Sequence, residues 1–172
     1  LFRNYAPDTG SVTIPDGQVD LWIPDFGIFS FKKSYSEFWR DSQKRGSFSR
    51  TMIPDLSLEV LNGKSQIKII VLDAKYRIER QLNEAISSIH TYRDAIVQGE
   101  EGDEQRFERI VIAAYLLTPY IPSIKQEDNW KDLNMPGRLF HREYRGNFKF
   151  GAATLIPGMT LNDLDHVLDE IL

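Results

Sequence analysis

The chain has 172 residues, of which 41% are apolar and 27% charged, and it carries a net charge of −4. This length fits one domain with a full hydrophobic core, and the composition is ordinary for a soluble globular protein. The negative charge argues against a protein that coats nucleic acid through bulk electrostatics, but not against an enzyme that binds phosphates locally. Cysteine is absent, which excludes disulfides, thiolate zinc sites and a cysteine nucleophile.

No apolar run is long enough to cross a bilayer and no signal-peptide pattern opens the chain, which predicts a cytoplasmic protein with no membrane partner. The start at Leu1, without a methionine, indicates a fragment or a processed chain. Basic residues form two clusters, which either bind phosphate or are solvated surface. Their members are Lys32, Lys33, Arg40, Lys44, Arg45 and Arg50, and then Arg138, His141, Arg142, Arg145 and Lys149.

The N-terminal segment, residues 1–50, is rich in turns and is part of, or appended to, a core at residues 51–172. Short apolar runs and a set of aromatic residues at helical spacing predict two strands and a helix in this segment. These elements are expected at residues 19–23, 26–31 and 34–44.

The central section predicts an antiparallel hairpin. Residues 56–61 alternate between apolar and polar, as in a half-buried strand. Residues 67–72 form a nearly continuous apolar run, as expected at the centre of a sheet. Asn62-Gly63 between them is a strong hairpin-turn signal.

The remainder of the chain predicts helices that pack on a mixed sheet. The expected elements are a helix, an acidic loop, a strand, an irregular stretch, a strand and a closing amphipathic helix. They span residues 80–98, 99–105, 110–117, 120–138, 148–156 and 161–172. Leu161, Leu164, Leu168 and Ile171 mark the expected buried face of the last helix. This order of elements is typical of the α/β to α+β range.

Two acidic residues and a lysine at the ends of the hairpin strands form the candidate site. Asp55 follows Pro54 before the first strand, and Asp73 and Lys75 end the second. Because side chains alternate across a strand, Asp73 and Lys75 share a face, and pairing of the strands can bring Asp55 to Asp73. Adjacent carboxylates repel unless a proton or cation lies between them, and magnesium accepts such ligands together with water and phosphate oxygens.

This trio predicts a metal-dependent phosphodiesterase site in which Lys75 orients or deprotonates the attacking water. The alternative is a turn residue and an ordinary ion pair at a strand end. On the following helix, His90 and Arg93 lie on one side, beside the apolar stripe, where they could contact a phosphate or brace the carboxylates. Their alternative is a core-edge histidine and an Arg93 paired with Glu84 or Asp94.

These motifs together resemble the PD-(D/E)XK nuclease superfamily, in particular its prokaryotic branch related to McrC, the nuclease subunit of modification-dependent restriction systems. The resemblance covers about residues 50–172. The matching pieces are Pro54-Asp55, Asp73-Ala74-Lys75-Tyr76-Arg77 and His90-Thr91-Tyr92-Arg93-Asp94-Ala95-Ile96. It implies a restriction-endonuclease-like core, in which a mixed central sheet is flanked by helices.

The resemblance also implies a DNA endonuclease that hydrolyses phosphodiester bonds with a metal-activated water. Asp55, Asp73 and Lys75 would be catalytic, and the two carboxylates would bind Mg²⁺, or Mn²⁺ as a substitute, together with the Ala74 carbonyl. The superfamily often has a further glutamate on an upstream helix, a role that falls to Glu37 if that helix is absent. Residues with a supporting or phosphate-binding role would be His90, Tyr92, Arg93 and Arg77.

The expected partners are DNA and a separate AAA+ GTPase or ATPase in a prokaryotic restriction and antiviral defence system, and a homodimer is left open. The chain has no complete P-loop of its own, because Leu58 occupies the position of the first glycine before Gly63-Lys64-Ser65. The alternative function is a non-catalytic nucleic-acid-binding or assembly module that retains the nuclease fold. The intact trio of Asp55, Asp73 and Lys75 argues against that alternative.

Overall fold

The computed structural model describes residues 19–23, 27–42, 44–62, 66–76, 82–100 and 103–171. Nine strands and three helices lie within these residues. The strands are β1 (Val19–Ile23), β2 (Gly27–Phe31), β3 (Arg45–Ser47), β4 (Leu56–Asn62), β5 (Gln66–Ala74), β6 (Ile96–Glu100), β7 (Asp103–Arg109), β8 (Val111–Thr118) and β9 (Phe150–Thr154). The helices are α1 (Leu82–Ala95), α2 (Arg142–Phe148) and α3 (Leu161–Ile171).

A mixed six-stranded sheet in the order β1-β2-β4-β5-β8-β9 is the centre of the fold. The first strands pair antiparallel, whereas β5 pairs parallel to β8 and β8 parallel to β9. A parallel pair needs a long crossover, and α1 with the β6–β7 hairpin supplies it between β5 and β8. A second sheet has the order β3-β6-β7. The fold is therefore α+β, as predicted.

Both faces of β5 are buried, which explains its unbroken apolar sequence. Ile69 and Val71 pack in the cluster that includes Leu82 and Ile89 of α1. Ile70 and Leu72 pack on the opposite side, in a cluster that includes α3. Since successive side chains point to opposite faces, α1 and α3 lie on opposite sides of the sheet.

Helix α3 covers only part of its face of the sheet. Ile171 is buried, Leu164 and Leu168 are half-buried, and Leu161 is exposed. The expected buried face is therefore confirmed at its C-terminal end and wrong at Leu161. Between α3 and the edge formed by β1 and β2 lies an apolar groove of about 420 Å³.

The helix predicted at residues 34–44 is wrong. The structure has a short 3₁₀ turn at Phe38–Arg40, followed by β3. Before that turn, Tyr35 and Met52 exchange backbone hydrogen bonds of 2.8 and 3.0 Å. Tyr35 is buried, whereas Trp39 is 57% exposed, so the aromatic residues at helical spacing do not share one buried helical face.

The helix predicted at residues 80–98 ends early, at Ala95, and the predicted acidic loop is largely strand. Ile96 and Val97 begin β6, and their β-branched side chains favour a strand. Val97 lies opposite Gly46 of β3 and Arg109 of β7. The side chains of Ile96 and Val97 are both buried, so burial in the second sheet outweighs the helical spacing.

The predicted hairpin of β4 and β5 is confirmed, with Leu56 opposite Leu72. The strands β1, β2 and β8 and the closing helix are also confirmed, to within about two residues at each end. Helix α2 was not predicted, and because it extends to Phe148, the predicted strand at 148–156 begins only at Phe150. Within the described residues, no helix is long and apolar enough to cross a membrane.

Candidate active site

Two carboxylates meet at the open end of the β4–β5 hairpin. The register of the hairpin, with Leu56 opposite Leu72, brings Asp55 beside Asp73. The Ala74 N–H donates a hydrogen bond of 2.8 Å to Asp55 Oδ2, which ties the residue before β4 to the end of β5. Asp73 is 1% exposed, whereas Asp55 is half-buried.

The local environment moves the pKa values of these carboxyl groups in opposite directions. Burial raises the pKa of Asp73, and although hydrogen bonds from Ser88 and Lys75 oppose this effect, the pKa lies above its ordinary value. Burial also raises the pKa of Asp55, but hydrogen bonds with Lys32 and Asp73 outweigh it, and the pKa lies below its ordinary value. Asp55 therefore ionises first, and Asp73 is the member of the pair that holds a proton more readily.

Asp73 is held in place from two sides. Lys75 Nζ lies 2.9 Å from Asp73 Oδ2, and its side chain is 30% exposed. Ser88 on α1 donates a hydrogen bond of 2.6 Å to the same oxygen. The structure therefore brings Asp55, Asp73 and Lys75 together, and it adds Ser88, which no motif in the sequence marks.

A second lysine reaches the pair from the end of β2. Lys32 Nζ forms a hydrogen-bonded ion pair with Asp55 Oδ1. The Lys32 backbone N–H also donates to the Asp55 carbonyl at 3.0 Å. Lys32 adopts a left-handed backbone with φ of 52°, a conformation that non-glycine residues rarely adopt.

A buried polar cluster lies beside the carboxylates, on the same face of β4. Glu59 is 4% exposed and forms ion pairs with Lys33 at 2.5 Å and with Arg45 at 3.1 Å. The Tyr35 hydroxyl donates to Ser57 Oγ at 3.1 Å, and it lies 3.4 Å from Glu59. These contacts fasten the segment between β2 and β4 onto the sheet.

Tyr92, one of the predicted supporting residues, lies near the carboxylates. Its hydroxyl donates a 3.3 Å hydrogen bond to the Ile53 carbonyl, two residues before Asp55. Burial, and then the charges of Asp73 and Asp55, raise the pKa of Tyr92 to about 12. Tyr92 is therefore protonated at neutral pH and donates its hydrogen bond throughout the physiological range.

The structure does not bring His90 and Arg93 to the carboxylates. The His90 ring lies 4.3 Å from the Phe150 ring, between centroids, and Arg93 donates a hydrogen bond of 2.8 Å to the Phe148 carbonyl. Both side chains thus lie on the side of α1 that faces the α2–β9 junction. Asp94, the alternative partner of Arg93, instead contacts Arg109. Arg77 lies outside the described residues.

A small cleft lies between α1 and the chain segment that precedes Asp55. It has a volume of about 190 Å³. Its lining residues are Arg50, Thr51, Met52, Ile53, Ser88, Thr91 and Tyr92. Because Ser88 also donates a hydrogen bond to Asp73, the cleft adjoins the candidate site.

The donor chemistry of the site fits a hard divalent cation. Two carboxylates on neighbouring strands are the kind of ligand that Mg²⁺ uses, with water and substrate oxygens completing its coordination. Among the described residues, no group of three or more His, Cys, Asp or Glu side chains could hold a metal. Glu37 does not join the carboxylates and instead lies 3.8 Å from Arg40.

The fold, with α1 on one face of a mixed six-stranded sheet, is that of a restriction-endonuclease-like protein, and the carboxylate–lysine trio lies at the end of its β4–β5 hairpin. A family model of the PD-(D/E)XK nuclease superfamily matches residues 30–122, which is more than half of the chain. The chain therefore belongs to the PD-(D/E)XK nuclease superfamily. This membership indicates a nuclease, and nucleases of this superfamily generally use divalent metal ions. Searches of the curated proteins and of the solved structures give no significant match.

Proposed function

We propose that this protein is a divalent-metal-dependent endodeoxyribonuclease whose catalytic residues are Asp55, Asp73 and Lys75. The observation that carries the proposal is the meeting of these three side chains at the open end of the β4–β5 hairpin. The matched stretch of the nuclease superfamily, residues 30–122, contains all three. Mg²⁺ is the proposed cofactor, and Mn²⁺ is the substitute.

Asp55 and Asp73 would hold the cation, with the Ala74 carbonyl as a further ligand. When bound, the cation supplies a lowered pKa for a bound water and compensation for negative charge on the phosphate. Ser88 fixes the orientation of Asp73, as ligand-positioning hydrogen bonds do in metal sites. The hydrogen bond from Tyr92 to the Ile53 carbonyl holds the segment that leads into Asp55.

Lys75 has the catalytic role that does not depend on metal ligation. Its side chain is only 30% exposed and its ammonium group lies against Asp73, so it would be held near the charge that develops during hydrolysis. A fixed cation in that position orients the attacking water and stabilises the transition state by electrostatics. Arg50, which lines the adjoining cleft, would contact a neighbouring DNA phosphate.

The finer assignment is to the McrC-related branch, and it is supported by two sequence blocks. These are Asp73-Ala74-Lys75-Tyr76-Arg77 and Tyr92-Arg93-Asp94-Ala95-Ile96. On that basis the protein acts in the prokaryotic cytoplasm, in a restriction system with antiviral function. A separate AAA+ GTPase or ATPase would be its partner, and a homodimer would be one form of the active assembly.

The test is plasmid cleavage by the full chain in Mg²⁺ or Mn²⁺, with EDTA as the blank. We expect Asp73→Ala to lose roughly a thousandfold in cleavage rate because a metal ligand is removed, and Lys75→Ala to lose roughly a hundredfold. Mn²⁺ binding, measured by calorimetry, should be lost in Asp73→Ala and retained in Lys75→Ala. Asp169→Ala, an exposed carboxylate on α3, is the matched control and should behave as the wild type.

Cleavage that survives EDTA, or that Asp73→Ala retains, would remove the metal site from the mechanism. A folded wild type that binds DNA but does not cut with either cation would favour the non-catalytic module instead. Retention of Mn²⁺ binding by Asp73→Ala would mean that the cation binds elsewhere in the chain.

A further inference from the structure

Each carboxylate of the site has its own lysine. Asp73 is paired with Lys75, which the superfamily motif contains, and Asp55 is paired with Lys32, the residue that follows β2. With both carboxylates ionised, the four charges cancel. Binding of a divalent cation to the carboxylates would therefore leave the cluster with an excess of positive charge that suits a phosphodiester and its more highly charged transition state.

Lys32 is better placed than Lys75 to leave its carboxylate. The Lys32 side chain is 55% exposed, whereas that of Lys75 is 30% exposed. The Lys32 backbone is nevertheless fixed to the Asp55 carbonyl. A flexible four-carbon side chain on a fixed backbone can exchange one anionic partner for another without moving the strand.

The conformation of the chain at Lys32 is held by its neighbours. Lys33 is anchored to the buried Glu59 at 2.5 Å, and its ammonium group lies 5.9 Å from the centre of the Tyr35 ring. Left-handed backbone at a residue other than glycine persists only where the surroundings impose it, and such residues cluster at functional sites. Here the imposed conformation carries the Lys32 side chain to Asp55.

We propose that Lys32 is a second phosphate-binding lysine that neutralises Asp55 until a divalent cation binds and then contacts the DNA phosphate. This inference rests on the proposed function, because it assigns a role within the same site. It gives Lys32 two opposite effects, which a purely structural lysine would not have. Lys32 weakens binding of the cation in the absence of DNA, and it accelerates cleavage once the cation is bound.

The test measures Mn²⁺ affinity by calorimetry without DNA, and plasmid cleavage at saturating Mn²⁺. Lys32→Met removes the charge and preserves the length of the side chain. Lys32→Gly also removes the charge, and it favours the left-handed backbone, so it separates loss of the ammonium group from misfolding. Lys32→Arg keeps the charge and tests for rescue.

We expect Lys32→Met and Lys32→Gly to bind Mn²⁺ roughly threefold to fivefold more tightly, the scale of an exposed ion pair. Their cleavage rate should fall roughly tenfold, less than for a buried catalytic donor because Lys32 is exposed. Lys32→Arg should retain most of both properties. The matched control is Lys68→Met on β5, which loses an ion pair with Glu108 at 3.3 Å. Lys68 is about 17 Å along the strand from Asp73, so screening should leave both measurements unchanged.

The outcomes separate the two proposals. A wild type that binds Mn²⁺ and cleaves DNA, together with a Lys32→Met variant of unchanged or weaker Mn²⁺ affinity, would overturn the role of Lys32 alone. Unchanged cleavage by Lys32→Met would also overturn it, because the phosphate contact would then contribute nothing. A wild type that neither binds Mn²⁺ nor cleaves would overturn the proposed function, and the role of Lys32 with it.

Discussion

Asp73 combines almost complete burial with a neighbouring carboxylate, and this combination makes it a source of instability when no cation is present. Its hydrogen bonds from Ser88 and Lys75 compensate only in part, because the pKa still lies above its ordinary value. Ionised Asp73 therefore lowers the free energy of unfolding, and a bound cation would offset this loss. Functional sites commonly carry such a cost.

The first consequence is a pH-dependent stability difference between Asp73→Asn and the wild type in EDTA. Since folding raises the pKa of Asp73, this residue does not lower the stability of the protein below its ordinary pKa of 3.8. The loss of stability develops as the pH rises through the pKa of Asp73 in the folded protein, and it is constant above that pKa. We expect the melting temperature of Asp73→Asn to exceed that of the wild type by a few degrees at pH 7 and to approach it near pH 4.

The same melts with saturating Mn²⁺ are the control. The wild type should gain stability from the cation, and Asp73→Asn should not. An Asp73→Asn variant that melts below the wild type at pH 7 in EDTA would show that the hydrogen bonds of the ionised carboxylate outweigh its burial.

Among single residues, the sequence predicted those site residues whose positions follow from the alternation of side chains along a strand. Alternation along β4 and β5 is enough to bring Asp55, Asp73 and Lys75 together. Lys32 and Ser88 reach the same carboxylates from β2 and α1, and their approach depends on how separate elements pack. Helical spacing alone could not decide whether Ser88 or His90 faces the site, because both lie near the apolar stripe of α1.

Among the elements, β3 is closely confined by its neighbours. It pairs with β6 on one side, and on the other the Ser47 N–H donates to the Ser36 carbonyl at 2.6 Å. A Cβ atom at Gly46 would lie 2.1 Å from that carbonyl oxygen. Glycine is thus required here by close approach of the backbone.

Gly46→Ala should therefore destabilise the protein, by about 2–4 kcal/mol, because the backbone must move to relieve the contact. The matched control is Gly146→Ala on the exposed face of α2, where no heavy atom lies within 4 Å of the added Cβ. That variant should gain roughly 0.5–1 kcal/mol from helix propensity. Chemical denaturation measures the free energy of unfolding of both variants. Equal values would show that the backbone of residues 36–38 can move away from the added Cβ without loss of stability.

The elements that were predicted correctly are those whose sequence pattern and packing agree. The hairpin of β4 and β5 has alternation, a turn signal and a buried strand, all of which specify the same structure. Residues 34–44 and 96–98 have helical spacing, but they form a bridge to Met52, a 3₁₀ turn and part of the second sheet. Their partners are far away in sequence, so tertiary pairing decided the outcome against local preference.

For the molecule as a whole, α3 is attached to the other elements mainly near its C-terminal end. Arg145 of α2 is 3% exposed, and its guanidinium donates to Glu170 of α3 at 2.5 Å. Ile171 is the one residue of α3 that is buried. Ion pairs of Glu170 with Arg145 and Arg142, together with apolar contacts near the C-terminal end of the helix, therefore fix α3 to the rest of the protein.

Glu170→Gln should loosen α3 because it leaves the buried guanidinium of Arg145 without its anion. We expect the attachment of α3 to lose about 1–2 kcal/mol of stability, after allowance for the partial exposure of Glu170. We expect amide hydrogen exchange in α3 to accelerate roughly tenfold, with no change in β5. Asp169→Asn, an exposed neighbour with the same change of charge, is the control. Equal exchange in the two variants would show that apolar contacts alone hold α3.

The position of the candidate site along the chain has a consequence for synthesis. Lys32, Asp55, Asp73, Lys75, Ser88 and Tyr92 all leave the ribosome before β8, which begins at Val111. Strand β5 can pair at once with β4, but its other edge is an apolar template with unsatisfied backbone groups until β8 arrives. The strand that carries Asp73 is thus prone to aggregate in a nascent chain, and we expect chaperones to protect this segment.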